Sequence, residues 1–94
     1  MATYVMLGNY SVEGMKGASK ARTAEAKAVV EKLGGQVKAV YGMLGEKDVL
    51  IIAELPGTAE AMKASMALTK LTGIGFATSP ALSVEELDKL ISEP

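Results

Sequence analysis

The sequence predicts an α+β fold whose elements follow the order βαββαβ and end with a short additional helix. Short apolar segments rich in β-branched residues alternate with longer segments of helical composition. Glycine and proline residues mark the boundaries between these segments. The first and third strands are the most apolar, whereas the second and fourth carry residues typical of sheet edges.

Composition narrows the classes of function. The 94 residues, 1–94, are expected to form one domain with a thin core. Hydrophobic residues make up 49% of the chain, which indicates apolar surface buried between subunits. The net charge of −1 and the scattered charges argue against nucleic acid binding, which needs a basic surface.

The chain contains no cysteine and no histidine, so we predict neither a metal site nor a haem or other cofactor. No apolar run approaches the roughly 18 residues of a membrane span, and the N-terminus lacks the pattern of a signal peptide. We therefore expect a soluble cytoplasmic protein without a membrane partner.

Residues 3–10 form the first predicted strand, which is apolar on both faces. Residues 11–33 follow as a helix, but Gly14 and Gly17 each cost about 1 kcal/mol inside it, so its first turns should be separate or irregular. A glycine pair at 34 and 35 ends this helix. The helical period predicts one inner stripe, which consists of Met15, Ser19, Arg22, Ala26, Val29 and Leu33.

Residues 36–43 form the second predicted strand, in which Lys38 discourages pairing with an outside strand. The segment from Leu44 to Leu55 opens with a turn at Gly45 and continues through an apolar run at 49–53. We expect this third strand to be buried on both faces.

Thr58 is the predicted N-cap of a second helix over 59–72. Its predicted inner side consists of Ala61, Met62, Ser65, Leu68 and Thr69. The fourth strand, 74–82, contains Pro80 and is therefore an edge strand. A capping box from Ser83 to Glu86 begins the last helix. The docking face of that helix consists of Val84, Leu87, Leu90 and Ile91.

This order matches a ferredoxin-like antiparallel sheet with the spatial strand order 4-1-3-2. Helices on one face of such a sheet normally leave the other face in water, but the central strands here are apolar on both sides. We therefore expect a homodimer, or a higher oligomer, that forms through the free sheet faces.

The predicted topology gathers several polar residues at one end of the sheet, namely Asn9, Tyr10, Ser19, Arg22, Asp48 and Thr72. Arg22 could hold the carboxylate or phosphate of a small anionic ligand. The favoured alternative is a structural ion pair between Arg22 and Asp48.

Asp48 could also act as a general base, but a neighbouring Arg22 would hold it in the ionised, weakly basic form. Tyr10 and Tyr41 could donate hydrogen bonds to a ligand or take part in proton transfer. Tyrosines in a small core more often supply apolar area, with the hydroxyl group satisfied. No residue can be assigned a catalytic role from the sequence.

A larger set of residues carries a family resemblance, namely Tyr10 with Gly14, Ser19 with Arg22, Leu33–Gly35, Tyr41, Leu44–Glu46 and Asp48. With these residues the chain resembles the GYD-domain family of small bacterial and archaeal proteins. Lys47 stands where the name of the family places a tyrosine. The resemblance implies a dimeric α/β-barrel, in which two ferredoxin-like sheets pack face to face.

The wider dimeric α/β-barrel group includes cofactor-free monooxygenases, isomerases, haem enzymes and amino-acid-sensing domains, so three functions stay open. The first is a small-molecule-binding or regulatory domain with its ligand near Arg22. The second is a cofactor-free monooxygenase- or isomerase-like enzyme, and the third is a structural oligomer subunit. A cavity of roughly 300 Å³ or more beside Arg22 would favour the first two functions.

Overall fold

The computed structural model describes residues 1–93 and contains a four-stranded antiparallel sheet with two long helices on one face. The elements are β1 (Ala2–Tyr10), α1 (Val12–Lys16), α2 (Lys20–Lys32), β2 (Gln36–Gly42), β3 (Val49–Leu55), α3 (Thr58–Thr72), β4 (Ile74–Ala81) and α4 (Val84–Ser92). The strand order β2-β3-β1-β4 is the predicted order read from the opposite edge, so that prediction is confirmed.

The core lies between the sheet and the helices α2 and α3. Tyr4 and Met6 of β1 are buried, as is every second residue of β3 from Val49 to Leu55. The alternate residues of β3, such as Leu50 and Ile52, point to the other face of the sheet and are only partly buried. The prediction that the third strand is buried on both faces is therefore wrong within one chain, because the helices cover one face only.

The two central strands pair along most of their length, but the edge strand β2 is irregular. Val37 lies opposite Ala53 and Ala39 lies opposite Ile52, so Lys38 is an extra residue in the ladder. Such a bulge moves every later side chain of the strand to the other face of the sheet. Consequently Tyr41 pairs with the partly exposed Leu50.

The first predicted helix is two helices, as the glycines at 14 and 17 indicated. Ser11 caps α1 by accepting a hydrogen bond from the Gly14 N–H, at 2.9 Å. Gly14 packs against the end of α3, where a Cβ atom would lie 2.5 Å from the carbonyl oxygen of Thr72. The predicted position of Met15 on the inner stripe is wrong, because its side chain is 55% exposed on the separate helix α1.

The inner face of α2 begins after its N-cap. Ala26, Val29 and Leu33 pack against the core as predicted, and Val30, which the predicted stripe omitted, is fully buried. Ser19 caps this helix, since its hydroxyl oxygen accepts a hydrogen bond from the Arg22 N–H. Capping explains why a serine stands at this end of the stripe.

Helix α3 begins at Thr58 with Gly57 as its N-cap, so the predicted capping role of Thr58 is wrong. Its buried face consists of Ala61, Ala64, Leu68 and Thr72. Met62 was predicted to lie on this face but is 60% exposed. The helix ends at Gly73, whose φ of 72° is a left-handed conformation that glycine adopts without a steric penalty.

Helix α4 has the predicted capping box between Ser83 and Glu86. Its predicted docking face contacts no core, because none of its residues is buried and Ile91 is 72% exposed. Leu82 and Ser83 connect it to the edge strand β4, and it makes few contacts with the other elements. Within residues 1–93, no helix is sufficiently long and apolar to span a membrane.

Candidate functional site

A cavity of about 360 Å³ lies between α2 and the sheet. Its floor is apolar and consists of Val30, Val37, Val40, Val49, Ile51, Leu68, Ile74 and Phe76. Its remaining wall contains polar or small residues, namely Tyr10, Ala18, Ser19, Arg22, Thr23, Ala26, Lys27 and Thr72. Ala18 and Ala26 present only methyl groups at this wall, which leaves the space between helix and sheet unfilled.

Arg22 belongs to the first turn of α2 and is partly buried in the cavity wall. The central carbon of its guanidinium group lies 5.7 Å from the centre of the Tyr10 ring, a distance typical of a cation–π contact. Gly17 leaves room for this side chain, because a Cβ atom there would lie 2.7 Å from Nη1 of Arg22. The guanidinium group is thus held between an aromatic ring and a loop.

The predicted ion pair between Arg22 and Asp48 is wrong. The ion pair found within residues 1–93 joins Lys16 and Glu13, 3.8 Å apart on the surface. Asp48 instead accepts a hydrogen bond from the Tyr10 N–H through Oδ2, at 3.0 Å. Tyr10 is the last residue of β1, so the carboxylate satisfies a backbone donor where the strand ends.

Asn9 completes this connection between the end of β1 and the start of β3. Its side-chain Oδ1 accepts a hydrogen bond from the Asp48 N–H at 3.1 Å, and the Gly8 carbonyl accepts from the same N–H at 3.0 Å. Asn9 and Asp48 therefore hold two chain segments together. Neither of them lines the cavity.

Four of the expected polar residues line the cavity, Asn9 and Asp48 lie beside them outside its wall, and Tyr41 lies elsewhere. Tyr10, Ser19, Arg22 and Thr72 all line the cavity, as the predicted gathering at one end of the sheet implies. Tyr41 lies on the opposite face of the sheet, where its side chain is 59% exposed. Its register, shifted by the bulge at Lys38, accounts for this position.

Lys27 and the apolar floor of the cavity were not predicted as parts of a site from the sequence. A helical stripe that continued from Ser19 through Thr23 and Lys27 would have found this second cation, since these residues are spaced by four positions. Of the floor residues, Val49, Ile51 and Leu68 were predicted, and only as core. Nothing in their pattern distinguishes a residue that borders a cavity from one in a filled core.

The polar groups of the cavity differ in their availability to a ligand. The Thr72 hydroxyl donates to the Leu68 carbonyl at 2.7 Å and accepts from the Ile74 N–H at 3.1 Å, so it is used within the fold. The Thr23 hydroxyl donates to the Ser19 carbonyl at 3.2 Å. Within residues 1–93, the Arg22 guanidinium group has neither a side-chain nor a backbone acceptor. It is therefore the group best placed to bind an anion.

The same part of the chain contains no cluster of three or more His, Cys, Asp or Glu residues that could hold a metal ion. The cavity wall includes no carboxylate. The titratable side chains of the cavity wall are Tyr10, Arg22 and Lys27. With these groups above an apolar floor, the cavity can bind and orient a small molecule.

Comparison with solved structures identifies the fold. The crystal structure of the Mycobacterium tuberculosis leucine response regulatory protein (LrpA) is similar, with a TM-score of 0.58 at 10% sequence identity. The similarity covers 88% of this chain and 51% of the LrpA chain, so this chain spans about half the length of that protein. At this identity the similarity shows the ferredoxin-like fold alone.

Comparison of sequences gives the family. Among curated proteins, no significant match is found. The family model described as the GYD domain matches residues 4–91, which is nearly the whole chain and confirms the resemblance noted from the sequence. On this match, the chain belongs to the GYD domain family.

Proposed function

We propose that this protein is a small-molecule-binding domain that holds an anionic ligand in the cavity beside α2. The observation that carries the proposal is the partly buried Arg22, which faces an apolar cavity without a carboxylate partner. Removing a cation from water is costly unless an anion compensates for the loss of hydration. A bound anion would provide that compensation.

The cavity supports this function over a purely structural one. Its volume of about 360 Å³ lies within the range of roughly 300–1,000 Å³ that is typical of ligand pockets. The enzyme alternative has less support, since Asp48 is bonded to the Tyr10 N–H and lies outside the cavity wall. A regulatory role agrees with the name of LrpA, although the similarity between the two chains extends only to the fold.

We further propose that the protein is a homodimer that forms through the free sheet face. The register places apolar side chains on that face, including those of Val5, Leu7, Leu50, Ile52 and Ala77. The exposed apolar side of α4 offers additional area. A standard interface buries about 800 Å² per partner. Sedimentation showing a stable monomer at micromolar concentration would contradict this proposal.

The ligand-binding proposal can be tested by filling the cavity. In the Ala26→Leu variant, a larger side chain would occupy space at the cavity wall. Ala24→Leu is the matched control, because Ala24 is exposed on the same helix and does not line the cavity. Each protein would be purified from its native cells without denaturation and examined by native mass spectrometry.

We expect the wild type and the Ala24→Leu variant to retain the same small molecule, and the Ala26→Leu variant to lose it while remaining folded by circular dichroism. Equal retention by both variants would place the ligand elsewhere. Wild-type protein that neither carries a small molecule nor binds a small anionic ligand in solution would likewise contradict the proposal.

A further inference from the structure

We infer that the cavity selects an apolar monocarboxylate that carries no ammonium group, and therefore discriminates against amino acids. This inference rests on the proposed function and adds the chemical class of the ligand. It follows from three properties of the cavity: the sign of its charges, the balance of its hydrogen-bond donors and acceptors, and the apolar character of its floor.

The charges that border the cavity have one sign. Arg22 and Lys27 are both positive, and no aspartate or glutamate lines the wall. An ammonium group that leaves water needs a carboxylate or several acceptors in its place. Here the partly buried Arg22 would repel it, and the exposed, more strongly screened Lys27 would add to the repulsion. An amino acid bound through its carboxylate would therefore bring its own ammonium group into an unfavourable environment.

The free polar groups are mainly donors. The Ser19 oxygen accepts from the Arg22 N–H, which leaves its hydroxyl hydrogen available to a ligand. The Thr72 hydroxyl already donates once and accepts once within the fold. The guanidinium group of Arg22 offers donors in a planar fork and cannot accept. A carboxylate matches this set, since it is planar and only accepts.

The floor limits the ligand to one charged end. Its eight side chains are all apolar, and Val30, Leu68 and Ile74 are almost fully buried. A second carboxylate at the far end of the ligand would lose its hydration there without gaining a partner. An inorganic phosphate could meet the guanidinium group but would leave the floor uncovered. A carboxylate with a hydrocarbon body satisfies both regions.

Matched probes can test this class directly by isothermal titration calorimetry. The probes are 4-methylpentanoate, leucine, 4-methylpentanamide and inorganic phosphate. Leucine has the carbon skeleton of 4-methylpentanoate with an added ammonium group, and the amide replaces the carboxylate by a neutral group. We expect 4-methylpentanoate to bind, and leucine and the amide each to bind at least about 10-fold more weakly, as expected for the loss of a charge-assisted contact.

Two variants connect the preference to Arg22. In Arg22→Gln, the preference for the acid over the amide should fall to about 2-fold or less, since the charged donor is lost. The control, Lys20→Gln, removes one positive charge from the same helix at an exposed position outside the cavity wall. The preference of this variant for the acid over the amide should match that of the wild type.

The possible outcomes separate the ligand class from the proposed function. Leucine binding as tightly as the acid would overturn the class and leave a ligand-binding domain in place. The class also fails if the amide or phosphate equals the acid, or if no probe binds although native mass spectrometry finds a retained ligand. Absence of both probe binding and a retained ligand would overturn the class and the proposed function together.

Discussion

Asp48 offers a sharp test of how the end of β1 is held. The Asp48→Ala substitution removes the acceptor of the Tyr10 N–H, a partly buried bond of 3.0 Å. Leaving a buried donor unsatisfied costs about 1–3 kcal/mol. Because the site is only partly buried, we expect the free energy of unfolding to fall by about 1–2 kcal/mol. Asp48→Asn keeps an oxygen acceptor and should cost less than about 1 kcal/mol.

The measurement is urea unfolding followed by circular dichroism, at one fixed protein concentration because oligomerisation shifts apparent stability. For a chain of this size, each 1 kcal/mol lowers the midpoint of thermal unfolding by about 4–8 °C. The loss expected for Asp48→Ala is therefore about 4–16 °C.

A double-mutant cycle separates this interpretation from an ion pair with Arg22. Asp48 and Arg22 do not bond to each other, so Asp48→Ala and Arg22→Gln should be additive to within about 0.5 kcal/mol. Breaking a buried ion pair would instead cost about 3–5 kcal/mol. A coupling energy above about 2 kcal/mol, or an Asp48→Asn variant as unstable as Asp48→Ala, would refute the assignment.

Two further substitutions test packing and assembly. Gly8→Ala would place a Cβ atom 2.5 Å from Cγ2 of Ile74 and 2.8 Å from the Gly75 carbonyl oxygen, so urea unfolding should show a loss of about 2–3 kcal/mol. Gly75→Ala, where a Cβ atom meets nothing within 4 Å, should change stability by less than about 0.5 kcal/mol, and equal losses would contradict the packing argument. Ile52→Lys places a charge on the free sheet face and should weaken the proposed dimer at least about 100-fold in sedimentation, whereas the exposed control Ala24→Lys should not.

The sequence predicted the strand order and the family because these depend on patterns that extend over many residues. The predicted inner stripes failed at Met15 and Met62. Met15 lies beyond a break between two helices, and a helical period continues only within one helix. Met62 lies at the border of its stripe, where a small rotation of the helix decides whether a residue is buried.

The arrangement of the site depended on features that leave little trace in the sequence. Topology brought Arg22 and Asp48 towards the same end of the sheet, and opposite charges in proximity suggested an ion pair. A backbone N–H at the end of a strand competes for the same carboxylate, and the sequence alone does not show which of the two partners the carboxylate binds. The cavity was anticipated only as a condition for ligand binding, because an unfilled space depends on side-chain volumes in three dimensions.

The bulge at Lys38 connects the cavity to the proposed dimer interface. Without the extra residue, alternation from Val37 would place Ala39 and Tyr41 on the helix-covered face. With it, Val40 lines the cavity, and Tyr41 lies beside Leu50 on the free face. One residue thus keeps a large aromatic ring out of the space opposite Arg22 and adds it to the surface proposed to meet a second subunit. The register of this edge strand therefore determines both the volume of the cavity and the side chains on the free sheet face, so a change in that register would alter both.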